Sequence, residues 1–528
     1  MKNKFKRSVA IMSAILTVCT GCKSTDKNVS KDFDLTSYPV KADVELTLYR
    51  ELPVNISSSV SNFGDTPVAK ELEKRTGVKV KYIHPAAGQA RETLNLMISS
   101  NDLPDMVENN WLSGYAGGPE RAINDNIITS IGEYKQYAPA MFKYFADNPN
   151  FDKASKTDSG DYYMFPSIMP TNRLRLAIGP AVRTDWLNEL GLSYPETVDE
   201  WEVMLQAFKD KKNAEAPFSF NYSMLTYAMN MMGAVYDFYV DNGEMKFGPA
   251  QPEFKTALTI LNDWYNKGLL DKNIVSVDKK LIDSQVLTGK TGATITSGGA
   301  GIGQYMKAGR LQNPNFDMSG VVYPTFKKGE VNDCTYLSSN VTGRGIAISK
   351  KCKYPEVAAK FLDYGFTDEG HMFYCFGEEG VSYTMENGYP KYTDLIMNNS
   401  DGLTMSQAMG LNIIVGNSGG MPFYSDERYL EQYYNLPQQK TALDNWLKGV
   451  DKASERSAPL VTPTADETTE SAQLMSEVNK YADQMIVKFI TGVEPISKFD
   501  DYVKKLNEYG LPRVLEIQNK ALDRYNKR

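Results

Sequence analysis

"TPVAKELEKRTGVKVKYI", Thr66 to Ile83, holds one helix followed directly by one strand. Thr66 can cap a helix that has Pro67 at its first position, where a missing N–H costs nothing; Val68 and Leu72 share a face, and Gly77 ends the element. "VKVKYI" then alternates apolar and polar residues, the period of a half-buried strand. Upstream, "VELTLY", Val44 to Tyr49, alternates in the same way, so the three pieces form a strand–helix–strand unit. A second round follows: Leu94, Met97 and Ile98 line one helix face, Pro104 stops it, and "DMVEN" reads as a short buried strand. Strands alternating with helices imply a mostly parallel sheet covered on both faces.

Downstream the elements lengthen. "RTDWLNELGLSYPETVDEWEVMLQAFKD", from Arg183, carries two helices, the first stopped by Gly191 and the second opened by Thr197 with Glu200 three residues on, a capping box. Trp186 and Trp201 therefore sit on helices as core residues, and Trp264 in "LNDWYNKGLL" reads the same way. Pro355 opens another helix in "PEVAAKFLDYGFTDEG". "SAPLVTPTADETTESAQ", Ser457 to Gln473, reads as a polar loop feeding a long amphipathic helix with Leu474, Val478, Tyr481 and Met485 on one side. "GATIT" is a strand running into the glycine-rich Ser297–Gly303. Gly289-Lys290-Thr291 just before it ends like a phosphate-binding loop, but such a loop needs glycine where Ser284 stands, and the glycines from Gly298 lack dinucleotide-binding order.

The N-terminus belongs to a different regime. Lys2, Lys4, Lys6 and Arg7 precede an apolar run, Val9 to Cys19, that is too short to span a bilayer, which takes about 20 residues. This is a secretory signal over residues 1–21. Thr20-Gly21-Cys22 resembles the lipobox of bacterial lipoproteins, whose cysteine is lipidated and becomes the first mature residue; Cys19 departs from the usual Leu or Val. The resemblance implies lipidation at Cys22, a flexible tether to residue 42 and anchoring on the extracytoplasmic face of the cell membrane; a plain secreted protein is the alternative.

The formal charge of −7 becomes −11 once the four N-terminal cations are removed, which disfavours nucleic acid as a partner. With 42% apolar and 11% aromatic residues, a chain of this length supports two or more lobes. Cys334, Cys352 and Cys375 allow at most one bridge, and free thiols are the simpler reading. Only His84 and His371 are available to a zinc site or a nucleophile–histidine pair, and neither has ligands at metal spacing. No metal, cofactor or catalysis is expected.

Several segments in order resemble the extracellular solute-binding lipoproteins of ABC transporters: "AKELEKRTGVKV", "LNLMISSNDLPDMVE", "AVRTDWLNELGLSYPETVDEW", "GKTGATI", "GIAISKKCKYPEVAAKFLDYGFTDEG" and "FITGVEPISKFDDYVKKLNEYGLPRVLEIQNKALDRY". The likeness is greatest to the larger oligosaccharide-binding branch, which includes alginate-oligosaccharide binders. It implies a two-lobe α/β fold of periplasmic-binding-protein type II, with mixed sheets flanked by helices and a ligand cleft between the lobes. Crossings would fall near "RLRLAIG", Arg173–Gly179, and "NVTGRGIAI", Asn340–Ile348. Residues 43–175 with about 345–400 would make one lobe, and 176–344 with about 401–528 the other. The calcium loop of alginate binders has as its counterpart here "FKDKKNAEAPF", too short and too basic for an oxygen cage, so calcium is not expected.

A sugar site needs aromatic platforms beside amide or carboxylate partners. Trp111 and Tyr115, with Asn109 and Asn110, lie in a glycine-rich loop at the C-terminal end of a strand, where open α/β sheets bind ligands. Opposite them the resemblance places Ser297, Gly298, Gly299, Tyr222 and Tyr227; each tyrosine could equally pack as one of 32. Arg50, Arg173, Arg175 and Arg344 lie near cleft or hinge. One facing the ligand, with Arg344 the candidate, would suit an acidic sugar such as a uronide; an arginine locking the hinge by an ion pair is equally open. The function implied is a monomeric, lipid-anchored binder that hands an oligosaccharide to a permease. A polysaccharide hydrolase or lyase, a peptide binder and an adhesin are the competing readings.

Overall fold

A computed structural model describes residues 33–417 and 420–528. The signal segment, Cys22 and the first part of the tether lie outside the described residues. The strands in chain order are β1 (Glu45–Tyr49), β2 (Lys79–Ile83), β3 (Met106–Asn110), β4 (Phe165–Ile168), β5 (Ile178–Arg183), β6 (Phe238–Asp241), β7 (Glu244–Phe247), β8 (Ala293–Ser297), β9 (Met318–Gly320), β10 (Val341–Ile348), β11 (Tyr383–Glu386), β12 (Tyr389–Tyr392) and β13 (Phe423–Tyr424).

The opening unit forms as its residues dictate. Thr66 Oγ1 accepts a hydrogen bond from Ala69 N at 3.2 Å, Pro67 opens the helix Pro67–Thr76, and Gly77 closes it at φ 73°, a left-handed conformation that glycine adopts without Cβ strain. β1 pairs in parallel with both β2 and β3. β10 then enters antiparallel between β3 and β4, and β13 adds a parallel edge to β4, giving the order β13–β4–β10–β3–β1–β2. The expected parallel sheet is thus found for β2–β1–β3, whereas the second sheet, β8–β5–β9, is antiparallel throughout. Alternation marks a strand but leaves its partner open, and β10 arrives from far along the chain.

Two hydrophobic cores result. The first is built from residues between Val40 and Ile168 and between Val341 and Phe423; the second from residues between Leu174 and Tyr323 and between Leu430 and Leu511. The chain therefore passes between the cores after β4, before β10 and again after β13. Trp446 packs inside the second core against β5 and β9: its indole lies where a Cβ on Gly179 or Gly320 would fall, and its Nε1 donates to Pro180 O at 3.0 Å. Trp186, Trp201 and Trp264 are buried in the second core. The three thiols Cys334, Cys352 and Cys375 are free.

Two expectations are corrected. The stretch read as tether to residue 42 is docked from Phe33 onward: Phe33 meets Tyr354 edge-on at 5.5 Å, Tyr38 donates to Lys360 O at 2.6 Å, and Val40 N donates to Thr76 O at 2.9 Å. Its apolar residues outweigh its polar composition, because the first core has room for Val40. The polar loop read through Gln473 ends at Thr464, where a capping box with Glu467 starts the helix Ala465–Thr491. Thr464 N donates to Glu467 Oε2 at 3.0 Å, and Glu467 N donates back to Thr464 Oγ1 at 3.4 Å.

Candidate functional site

A cavity of about 900 Å³ lies between the lobes, walled by residues of both cores and by the crossing segments. Leu112, just beyond β3, and the turn around Asn148 contribute the first lobe's wall. Asn172, Arg175, Leu337 and Asn340 form the floor, and Asn230, Asp237, Phe238 and Tyr239 the opposite side. The segment Arg456–Val461, with Tyr525, completes the enclosure. The surface mixes amides, hydroxyls, carboxylates and aromatic rings, in a volume suited to a ligand of several rings.

The floor is held by hydrogen bonds from its own side chains. Arg175 Nε donates to Ser338 O at 2.6 Å and Nη1 to Asn172 Oδ1 at 2.7 Å, which ties the first two crossings together. Burial lowers the pKa of this guanidinium from its usual value. Asn332 Nδ2 donates to Asn230 O at 3.0 Å and to Pro324 O at 2.8 Å, and Asn230 Nδ2 donates to Cys334 O, riveting the second crossing to the helix Leu225–Met231. Arg456 pairs with Asp333 at 2.8 Å and lies over the Tyr239 ring at 4.9 Å. Burial pushes the Cys334 thiol beside it up to about 12, so this sulfur is protonated at neutral pH and is no nucleophile.

Of the residues singled out from the sequence for a ligand, Arg175 lines this cavity, whereas Asn109, Asn110, Trp111, Tyr115, Tyr222, Tyr227, Ser297, Gly298, Gly299 and Arg344 do not. Trp111 is 0% exposed, its ring packed in the first core and its backbone N–H donated to Gly343 O at 3.1 Å. Asn110 Oδ1 accepts from Leu112 N and Ser113 N at 3.2 and 3.3 Å, folding the loop after β3, while Asn109 packs against Gly114. Tyr115 donates to Asp125 at 2.9 Å; burial, reinforced by that carboxylate, moves its phenol up to about 12. Tyr222 and Tyr227 flank the second core, Tyr227 against the ring of Tyr336, which does line the cavity. Ser297 ends β8, and the bare backbones of Gly298 and Gly299 admit the rings of Tyr434 and Tyr433, with Gly298 O accepting from Gln439 Nε2 at 2.9 Å.

Arg344, within β10, belongs to a charge cluster with Glu108 of β3 and with Arg50 and Glu51 just after β1. Its Nε donates to Glu108 Oε1 at 2.7 Å and its Nη2 to Glu51 Oε2 at 2.9 Å; Arg50 lies 3.2 Å from Glu108 on the other side. Glu108 is buried, which would raise its pKa, yet Arg50, Arg344 and the Gly420 N–H together hold it below the usual carboxylate range. His371 packs within its helix, stacked on Tyr424 at 4.0 Å with Nε2 3.2 Å from Asp426. Among the described residues no group of His, Cys, Asp and Glu could hold a metal ion. The lining residues Asp237, Thr335 and Tyr336 escaped sequence reasoning; the clustered aromatics of "VYDFYV" and "CTYL" were the available signal.

A model of the family described as bacterial extracellular solute-binding protein matches residues 62–372. The chain is similar to the fructooligosaccharide ABC transporter substrate-binding protein FusA of Streptococcus pneumoniae serotype 4 (strain ATCC BAA-334 / TIGR4), 23% identical with 99% of this chain and 98% of FusA covered. It is also similar to Lipoprotein LipO of Bacillus subtilis (strain 168), 22% identical over 86% of this chain and 88% of LipO. Among solved structures, alginate-binding protein AlgQ2 without calcium ion superposes with a TM-score of 0.75 at 26% identity, covering 92% of this chain and 99% of that one.

Proposed function

Because the chain belongs to the bacterial extracellular solute-binding proteins, we propose that it captures an oligosaccharide between its lobes and delivers it, without cleaving it, to the permease of an ABC transporter. The observation that carries this reading is the cavity of about 900 Å³ walled by both lobes, whose amides, hydroxyls and rings match the hydroxyl edges and apolar faces of sugars. FusA and AlgQ2, by name a fructooligosaccharide transporter component and an alginate binder, support the carbohydrate class. The signal segment and Cys22 support a chain held by lipid on the extracytoplasmic face, a placement in keeping with the similarity to LipO, and the chain is taken to act there as a monomer. Tyr227 serves this site from behind, by backing the ring of Tyr336.

The experiment is a thermal-shift screen of the detergent-solubilised full chain against an oligosaccharide panel, with peptides as controls and chromatography of the sugars afterwards. Saturation at 100 times the dissociation constant stabilises a one-site binder by about 2.7 kcal/mol, enough to raise the melting temperature by a few degrees. A rise with an intact oligosaccharide is the expected result. Shortened sugar would favour the hydrolase or lyase reading, and a rise with peptides alone would reassign the solute.

A further inference from the structure

We propose that the captured oligosaccharide is uncharged and that Asp237, Thr335 and Tyr336 form its recognition centre, an inference that rests on the solute-binding reading above. The charges facing the cavity carry it. Of the arginines near the hinge, Arg50 and Arg344 are committed to Glu108 at 3.2 and 2.7 Å and Arg173 to Asp444 at 3.3 Å, and none of these three lines the cavity. Arg456 does line it but is paired with Asp333 at 2.8 Å. Arg175 lines it without an ion pair, but its Nε and Nη1 already serve Ser338 O and Asn172 Oδ1. Against these cations stand Asp147, paired with Lys143 at 2.7 Å, and Asp237, which has no ion pair among the described residues. The charged side chains of the lining, Arg175 and Arg456 against Asp147, Asp237 and Asp333, leave an excess of one negative charge, so a uronate carboxylate would enter a net acidic chamber and meet Asp237 as a like charge.

A neutral sugar finds the opposite. Asp237 Oδ1 accepts from Phe238 N at 2.7 Å, while Oδ2 accepts no hydrogen bond among the described residues and is free for sugar hydroxyls. Thr335 Oγ1 is buried without a partner although its residue lines the cavity, a desolvation cost that a ligand hydroxyl would remove. Beside them Tyr336 leaves 39% of its surface exposed, its ring braced by Tyr227 at 4.9 Å, as a platform for the apolar face of a pyranose or furanose. A carboxylate acceptor, a hydroxyl and a ring thus belong to the lining of one cavity.

Isothermal titration of the full chain with neutral fructo-, gluco- and galacto-tetraoses, and with tetragalacturonate as the charged probe, tests this directly. A neutral tetraose should bind and tetragalacturonate should not, and Asp237→Asn should weaken the neutral ligand by about tenfold or more, the usual worth of a hydrogen bond to a charged group. Thr335→Val should also weaken it, and supplies the answer if Asp237→Asn does not fold. Tighter binding of tetragalacturonate, or unchanged affinity in folded Asp237→Asn, overturns the proposal while leaving the solute-binding reading intact. Binding of no carbohydrate in either set overturns both.

Discussion

Asp363 is a carboxylate placed where water cannot reach it. Its Oδ1 accepts from Met141 N at 2.7 Å and its Oδ2 from Ala140 N at 3.2 Å, so it caps the helix Pro139–Asp147 from a distant part of the chain. Burial dominates these bonds and raises its pKa from 3.8 to about 6. The folded state therefore binds this proton more tightly than the unfolded chain. The group's contribution to stability is complete below about pH 4 and declines as pH rises to about 6, by roughly 3 kcal/mol in all. Asp363→Asn should flatten that part of the stability profile, as measured by urea denaturation at successive pH values; a slope equal to the parent's would show that another group titrates there. Single residues were the least legible scale of the sequence. Trp111 stands in a loop whose glycines and asparagines look like a binding surface, yet the strand β10 closes over it; Asp237 and Thr335 are marked locally only by neighbouring aromatic residues, and they meet the cavity because the crossing segment that carries Thr335 folds beside the second lobe.

Elements were legible where their signals are local. Thr66, Pro67 and Gly77 bound one helix and Thr197 with Glu200 opened another, each as the spacing predicts, because caps and left-handed glycines act within a turn of the chain. The helix Ala465–Thr491 shows how such a signal is lost in polar surroundings: Thr464 and Glu467 form the same capping box, but threonine-rich neighbours resemble a loop. Thr464→Ala should destabilise the protein by about 1 kcal/mol in chemical denaturation. Glu467→Ala should cost more, since Glu467 also pairs with Arg524 at 2.5 Å. Equal losses would mean that the cap alone matters. Sheet order lay beyond local signals. Arg344 and Glu108 face each other on adjacent strands although they are 236 residues apart, and no periodicity identifies such a partner. The two-lobe plan came instead from resemblance, which set the third passage between cores near residue 400; it falls later, after β13, because residues between Ala408 and Phe423 still pack in the first core.

At the scale of the whole molecule the question is what holds the lobes together around the cavity. Asp158 belongs to the first lobe, in the turn before β4, and its carboxylate is only 7% exposed. It accepts from Arg528 Nη2 at 2.5 Å and from Arg524 Nε, both on the helix Leu511–Lys527 or its cap, which packs with the second lobe. Arg528 Nη1 also donates to Lys153 O at 3.1 Å and to Lys156 O at 2.5 Å. This cluster lies beside the cavity, whose lining includes Ala154 and Tyr525. A buried charge that loses its partners is costly, commonly about 3–5 kcal/mol, so separating the lobes here must compete with whatever a ligand gains from closure. Asp158→Asn removes the charge while keeping the shape, and it should shift the ligand-free protein toward open forms, seen as a larger radius of gyration in X-ray scattering. Ligand affinity should fall in parallel, because part of the binding energy would then go to closing the lobes. Added salt should widen the parent less than an exposed pair would allow, since screening acts weakly on buried charges. An unchanged radius with unchanged affinity would mean that the crossing segments alone set the closure and that Asp158 serves only to order its own turn.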